Sequence, residues 1–154
     1  MIKVNVGVSE KNWKKYIKKP DAYIAKRIKK INDTNIFFKN KIVDFSLMLS
    51  GNNEIKSLNK KFRKKNKITD VLSFPFYEKK TVEKLNKKKK NFYLGDVIIN
   101  LQKVENKKLK IINEEKFNKL WIHGFLHLIG NTHKTTKAYL KMDKLEKKVF
   151  NLIK

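Results

Sequence analysis

Residues 121–129 read Trp-Ile-His-Gly-Phe-Leu-His-Leu-Ile, and wound as a helix they are apolar on nearly every side except where two imidazoles emerge. A helix of that kind is stable only when other elements bury it. A helix over residues 114–129 therefore belongs at the centre of the fold, with further layers around it. With 154 residues, 40% of them hydrophobic, there is material for one such core and little for a second. We expect a single domain over residues 1–154.

The surrounding layers follow from periodicity. Ile2, Val4, Val6 and Val8 alternate with polar or small residues, as in a half-buried strand. Residues 11–32 are mostly helix formers interrupted near Pro20, with Tyr23, Ile24, Ile28 and Ile31 at helical spacing. The segment 42–49 puts Val43, Phe45, Leu47 and Leu49 on one face of a second strand. Ser50 to Asn53 then supply turn and cap chemistry before a short helix through Ile55, Leu58 and Phe62. Residues 71–76, VLSFPF, read as a third strand at a sheet edge, because Pro75 has no N–H for a ladder. Phe74 and Phe76 are expected in the core, Asp70 as a strand-end cap and Ser73 as a strand hydroxyl. Lysine-rich residues 79–91 read as an exposed loop, 94–100 as a fourth strand, and 101 to about 109 as a further helix. Tyr139, Met142, Leu145, Val149 and Ile153 mark an amphipathic C-terminal helix. This order predicts an α+β fold in which a small mixed four-stranded sheet is packed with helices.

The chain has 3 histidines, and all of them fall in the window 123–133, HGFLHLIGNTH. His123 and His127, four apart on a helix, project from one face roughly 6 Å apart along the axis. Gly130 can adopt the left-handed conformation that ends a helix, and reversal there can bring His133 back as a third nitrogen. An isolated histidine is usually an ordinary core or surface residue. Burying two unpaired imidazoles costs a few kcal/mol each, however, whereas one divalent metal gives both a partner. Three neutral imidazoles with a fourth position open describe a catalytic zinc centre, as in a small hydrolase. There are no cysteines, so disulfides and thiolate ligation are excluded.

The spacing H-x-x-x-H-x-x-G-x-x-H also occurs in metzincin peptidases, which carry glutamate after the first histidine as general base. Gly124 stands there instead, and no carboxylate falls within the window. A peptidase would lack its base. A neutral three-histidine shell also leaves the full double positive charge on the metal, which suits an anionic phosphodiester.

Charge points the same way. Lys and Arg number 39 against 14 acidic residues, a net charge of +25. Such a surface attracts polyanions. All but two of the basic residues are lysine, so general lysine enrichment is an equal explanation of the total. On either account nucleic acid is a better partner than a membrane. No apolar run approaches membrane-spanning length, and a cysteine-free, soluble chain fits a cytoplasmic setting.

The window resembles the H-G-x-L-H-L-x-G-Y-D-H signature of the YbeY family, endoribonucleases and ribosomal RNA maturation factors. NKKFRKKNKITDVLSFPF at 59–76 and LGDV at 94–97 agree with it, and Met142 and Glu146 match an M-x-x-x-E on the last helix. Asn131-Thr132 depart from the family's Tyr-Asp. The resemblance spans roughly residues 42–150. It implies a zincin-like α+β fold, one zinc ion on His123, His127 and His133, and cleavage of single-stranded ribosomal RNA of the small subunit. It also implies a functional arginine, which maps onto Arg63. A planar guanidinium recognises phosphate in a way that lysine cannot copy. Lys64, Lys65 and Lys67 nearby could steer RNA toward the cleft. Two rival expectations stand beside this one: a ribosome-assembly factor with a mainly structural zinc, and a metal-dependent hydrolase of another bond.

Overall fold

Alternating apolar residues build the sheet of the computed structural model, which describes all of Met1–Lys154. Strands β1 (Ile2–Val8), β2 (Ile42–Ser50), β3 (Val71–Pro75) and β4 (Asn91–Asn100) lie in the order β1-β2-β4-β3. β1 pairs parallel with β2 and β2 parallel with β4, while β3 runs antiparallel to β4 at the edge. That edge position accommodates Pro75, as expected. Parallel neighbours need crossovers. Helices α1 (Trp13–Tyr16) and α2 (Pro20–Asn32) form the first one, with Pro20 at the helix start, where a missing N–H is harmless.

On one face of β2, Val43, Phe45, Leu47 and Leu49 are fully buried. Helices α2, α5 (Glu114–Leu128) and α6 (Thr136–Ile153) join them in the main core. Trp13 is buried with them, its indole N–H donating to the Ser50 carbonyl at 2.8 Å. The other face is covered only by α3 (Asn52–Arg63), over a small cluster of Ile55, Leu72 and Ile98.

Helix α5 is central, as its composition requires. Asn113 caps it by accepting from the Lys116 N–H at 2.9 Å, and Glu114 and Glu115 complement the dipole in the first turn. Phe117, Trp121 and Phe125 are fully buried, and the Phe125 ring lies 5.2 Å from Phe45. Gly124 faces the sheet, where a Cβ would meet Val97 Cγ1 at 2.5 Å and Ser73 Oγ at 3.1 Å. The Ser73 hydroxyl donates to the Gly124 carbonyl at 3.3 Å. The position that a metzincin fills with its glutamate is here pressed against strands, with no room for a side chain.

Three expectations are corrected. Residues 79–91 are not a loop: Lys79–Lys88 form helix α4, held by buried Val82 and half-buried Leu85. Two apolar residues three apart suffice to dock it while lysines face water. Residues 101–109 do not continue as a helix. One 3-10 turn (Leu101–Lys103) is followed by a hairpin of β5 (Glu105–Asn106) and β6 (Ile111–Ile112). The Asn100 and Asn106 side chains accept from the N–H groups of Gln102 and Leu109, local bonds that compete with helix formation. Phe76 is not core: it lies just past the end of β3 and belongs to neither hydrophobic cluster, whereas Phe74 is half-buried.

The close approach at Gly124 is testable. Overpacking costs about 1–3 kcal/mol, against about 1 kcal/mol of helix propensity gained by alanine. Gly124→Ala should therefore lower the denaturant midpoint, and the loss should shrink in a Val97→Ala background. An unchanged or raised midpoint would show that the helix does not press on the sheet.

Candidate metal centre

Helix α5 carries His123 and His127 on one face, both half-buried, with ring centroids 4.5 Å apart. The helix ends in a Schellman turn. The Asn131 N–H donates to the Leu126 carbonyl and the Gly130 N–H to the His127 carbonyl, each at 3.0 Å, with Gly130 at φ +95°. This turn brings the exposed His133 ring to 5.0 Å from His127 and 5.6 Å from His123. One ring nitrogen from each histidine lies within 4.8 Å of the other two. No carboxylate closes the remaining side of the group.

Hydrogen bonds decide which nitrogens are free. His123 Nδ1 sits 2.5 Å from Glu146 Oε1, and His127 Nδ1 sits 2.8 Å from the Asn131 carbonyl oxygen. Both partners are acceptors, so each Nδ1 carries the proton and each neutral ring presents Nε2 as a bare lone pair. The two Nε2 atoms are 3.0 Å apart. At that distance the two nitrogens share a positive charge, a proton or a metal ion, and a metal ion forms a bond with each. A tetrahedral ion with metal–nitrogen distances of about 2.0–2.1 Å needs its ligands roughly 3.3 Å apart. The donor set fits one divalent metal.

Electrostatics favour the neutral state that a ligand needs. The pKa of His127 is lowered, first by burial, then by His123, with His133 and Arg63 adding to the effect against the hydrogen bond that its Nδ1–H donates to the Asn131 carbonyl.

The three imidazoles open onto a cleft of about 710 Å³ whose walls include Arg63, Ser73, Phe76, Lys79 and Lys134. The two arginines differ sharply. Arg27 stacks on Tyr23 with its guanidinium carbon 3.3 Å from the ring centroid, donates to the Tyr23 carbonyl and pairs with Glu114. Arg63, exposed at the end of α3, has no hydrogen-bond or ion-pair partner within the chain and lines the cleft. Lys64, Lys65 and Lys67 are exposed beside it. Asp70 serves through its backbone, its carbonyl accepting from the Asn100 N–H at 2.9 Å.

Sequence reasoning assigned no part to Glu146. Its signal was the spacing from Met142: the methionine is buried, and one turn later the carboxylate reaches His123 from α6. Asn131 orients His127 through its backbone carbonyl, which any residue supplies, while its side-chain amide donates to the Leu126 carbonyl at 3.3 Å. Gly130 has a second use, since a Cβ there would lie 2.7 Å from the Cβ of Lys79 at the start of α4.

Comparisons with known proteins identify the family. Residues 7–154 match the family model described as endoribonuclease YbeY. The chain is 42% identical over 156 residues to an endoribonuclease YbeY of Pelagibacter ubique (strain HTCC1062), covering 100% of this chain and 97% of the relative. It is 34% identical to the endoribonuclease YbeY of Ehrlichia canis (strain Jake), covering 96% and 91% of the two chains. The solution structure of TM1509 from Thermotoga maritima superposes with a TM-score of 0.54 at 25% identity, over 99% of this chain and 89% of that one.

Two outcomes follow. Partners that orient a ligating histidine are typically worth about 10- to 100-fold in metal affinity. Glu146→Ala should weaken zinc binding by that much in competition with a chromophoric chelator, while Asn131→Ala stays near wild type; equal losses would refute the backbone assignment. For the metal-free protein, His127 has a folded pKa below its unfolded value of about 6.5. The unfolded chain then binds more protons, so this stabilisation is complete above about pH 6.5 and is lost as pH falls through the depressed value. Between pH 7 and pH 5 the denaturation midpoint should fall more steeply for wild type than for His127→Gln.

Proposed function

The chain belongs to the YbeY endoribonuclease family, and on that premise we propose that it is a zinc-dependent endoribonuclease. Its substrate is single-stranded ribosomal RNA, and its work is maturation of the 3′ end of the small-subunit RNA and ribosome quality control. The observation that carries this reading is the pair of bare Nε2 atoms facing each other at 3.0 Å, with His133 beside them and an open cleft in front.

His123, His127 and His133 hold the one ion. When bound there, a zinc ion supplies Lewis acidity toward a phosphoryl oxygen and toward water. Glu146 and the Asn131 carbonyl keep both Nδ1 atoms protonated, so that Nε2 and not Nδ1 is offered to the ion. Arg63 binds the scissile phosphate and stabilises charge that develops on it, which its lack of an internal partner leaves it free to do. The net charge of +25 draws RNA toward the cleft. We further propose one catalytic domain over residues 1–154, acting in the cytoplasm on the small ribosomal subunit; no helix is long and apolar enough to cross a membrane.

His127→Ala should abolish both stoichiometric zinc by elemental analysis and cleavage of single-stranded RNA. Arg63→Ala should retain zinc while kcat/KM falls on the order of 100-fold, the scale of losing one charge-stabilising donor. Purified protein that holds one zinc per chain yet leaves RNA intact, with and without ribosomes, would end the proposal.

A further inference from the structure

A large apolar ring standing in water beside a charged cleft needs a reason, and Phe76 is such a ring. It is 64% exposed and packs in neither hydrophobic cluster. Its position is nonetheless fixed. The Phe76 N–H donates to the Leu94 carbonyl at 2.8 Å, continuing the ladder between β3 and β4, and Pro75 restricts the backbone just before it. Tyr77 and Tyr93 meet the ring at centroid distances of 4.8 Å and 5.9 Å, with interplanar angles of 81° and 72°. Tyr93 is itself held by hydroxyl bonds with Ser46 Oγ at 2.9 Å and Asp96 Oδ1 at 2.7 Å. Neither tyrosine lies parallel to Phe76, so no aromatic neighbour stacks on its face.

Phe76 lines the same cleft as the three imidazoles and Arg63. Lys79 and Lys134 add positive charge to the walls, against one carboxylate, Glu78. A ligand suited to this lining carries anionic groups for the cations and a flat π-system for the ring. A nucleotide strand with its bases splayed out has both. We propose that Phe76 is a stacking platform for one unpaired nucleobase next to the phosphate at the metal centre; the assignment rests on the ribonuclease reading above. Stacking on an aromatic side chain tolerates any base but requires one that is out of its helix. Phe76 thereby favours single strands over duplexes, a discrimination that phosphate contacts alone do not make.

The test uses zinc-loaded protein and short 2′-O-methylated single-stranded RNAs with 5-iodouridine at successive positions, their intactness checked after each measurement. Irradiation should attach the RNA to Phe76 from one or two adjacent positions, as mapped by mass spectrometry. Phe76→Leu should bind the single strand roughly 5- to 100-fold more weakly, and Phe76→Tyr should bind it as wild type does. Both variants should keep the zinc content and melting temperature of wild type, and all three should bind duplex RNA of the same sequence equally. No adduct at Phe76, or undiminished affinity in the leucine variant, overturns the stacking role and leaves the ribonuclease reading standing. Wild-type protein that fails to bind the single strand overturns both.

Discussion

Two nitrogen lone pairs directed at each other from one face of a helix demand a positive charge between them. That demand orders the rest of the site. It requires that both Nδ1 atoms keep their protons, which is what the carboxylate of α6 and the carbonyl after the helix end enforce. It requires a neutral ring at His127, which burial and the neighbouring His123 favour. It also requires a scaffold stiff enough to hold like against like. A helix buried on nearly every side is such a scaffold, because its side chains have few alternative rotamers to escape into.

The rest of the architecture positions that helix. A glycine lets it lie close on β3 and β4, and α6 closes over its far side with Met142 in the core and Glu146 one turn further along. The strand that touches the glycine, β3, also runs out at the cleft, so one edge strand connects core packing to the rim of the site. Against a background of exposed lysines, Arg63 is distinguished by its planar guanidinium and by its place in the wall of the cleft.

Much of this was legible in the sequence, and the gaps have physical causes. The convergence of three histidines could be read because helical spacing and a terminating glycine are local properties. The α+β order could be read because strands and helices impose different periods on apolar residues. Helix α4 was hidden because two inward residues, Val82 and Leu85, are too few to stand out among lysines. Phe76 was misplaced because alternation tells which residues share a face, and only the packed layers tell whether anything covers that face. Glu146 had no assigned role because its partner lies 23 residues away on another helix. The Asn131 carbonyl had no signature at all, since every residue carries one.

The glycine at the end of α5 joins two parts of the molecule that look unrelated along the chain. Its bare Cα leaves a gap just wide enough for the root of the lysine-rich arm, α4, to lean on the loop bearing the third imidazole. The loop and the arm thus meet where Lys79 lies against the glycine. Any side chain at that glycine would have to displace either the first turn of α4 or the loop from which His133 hangs.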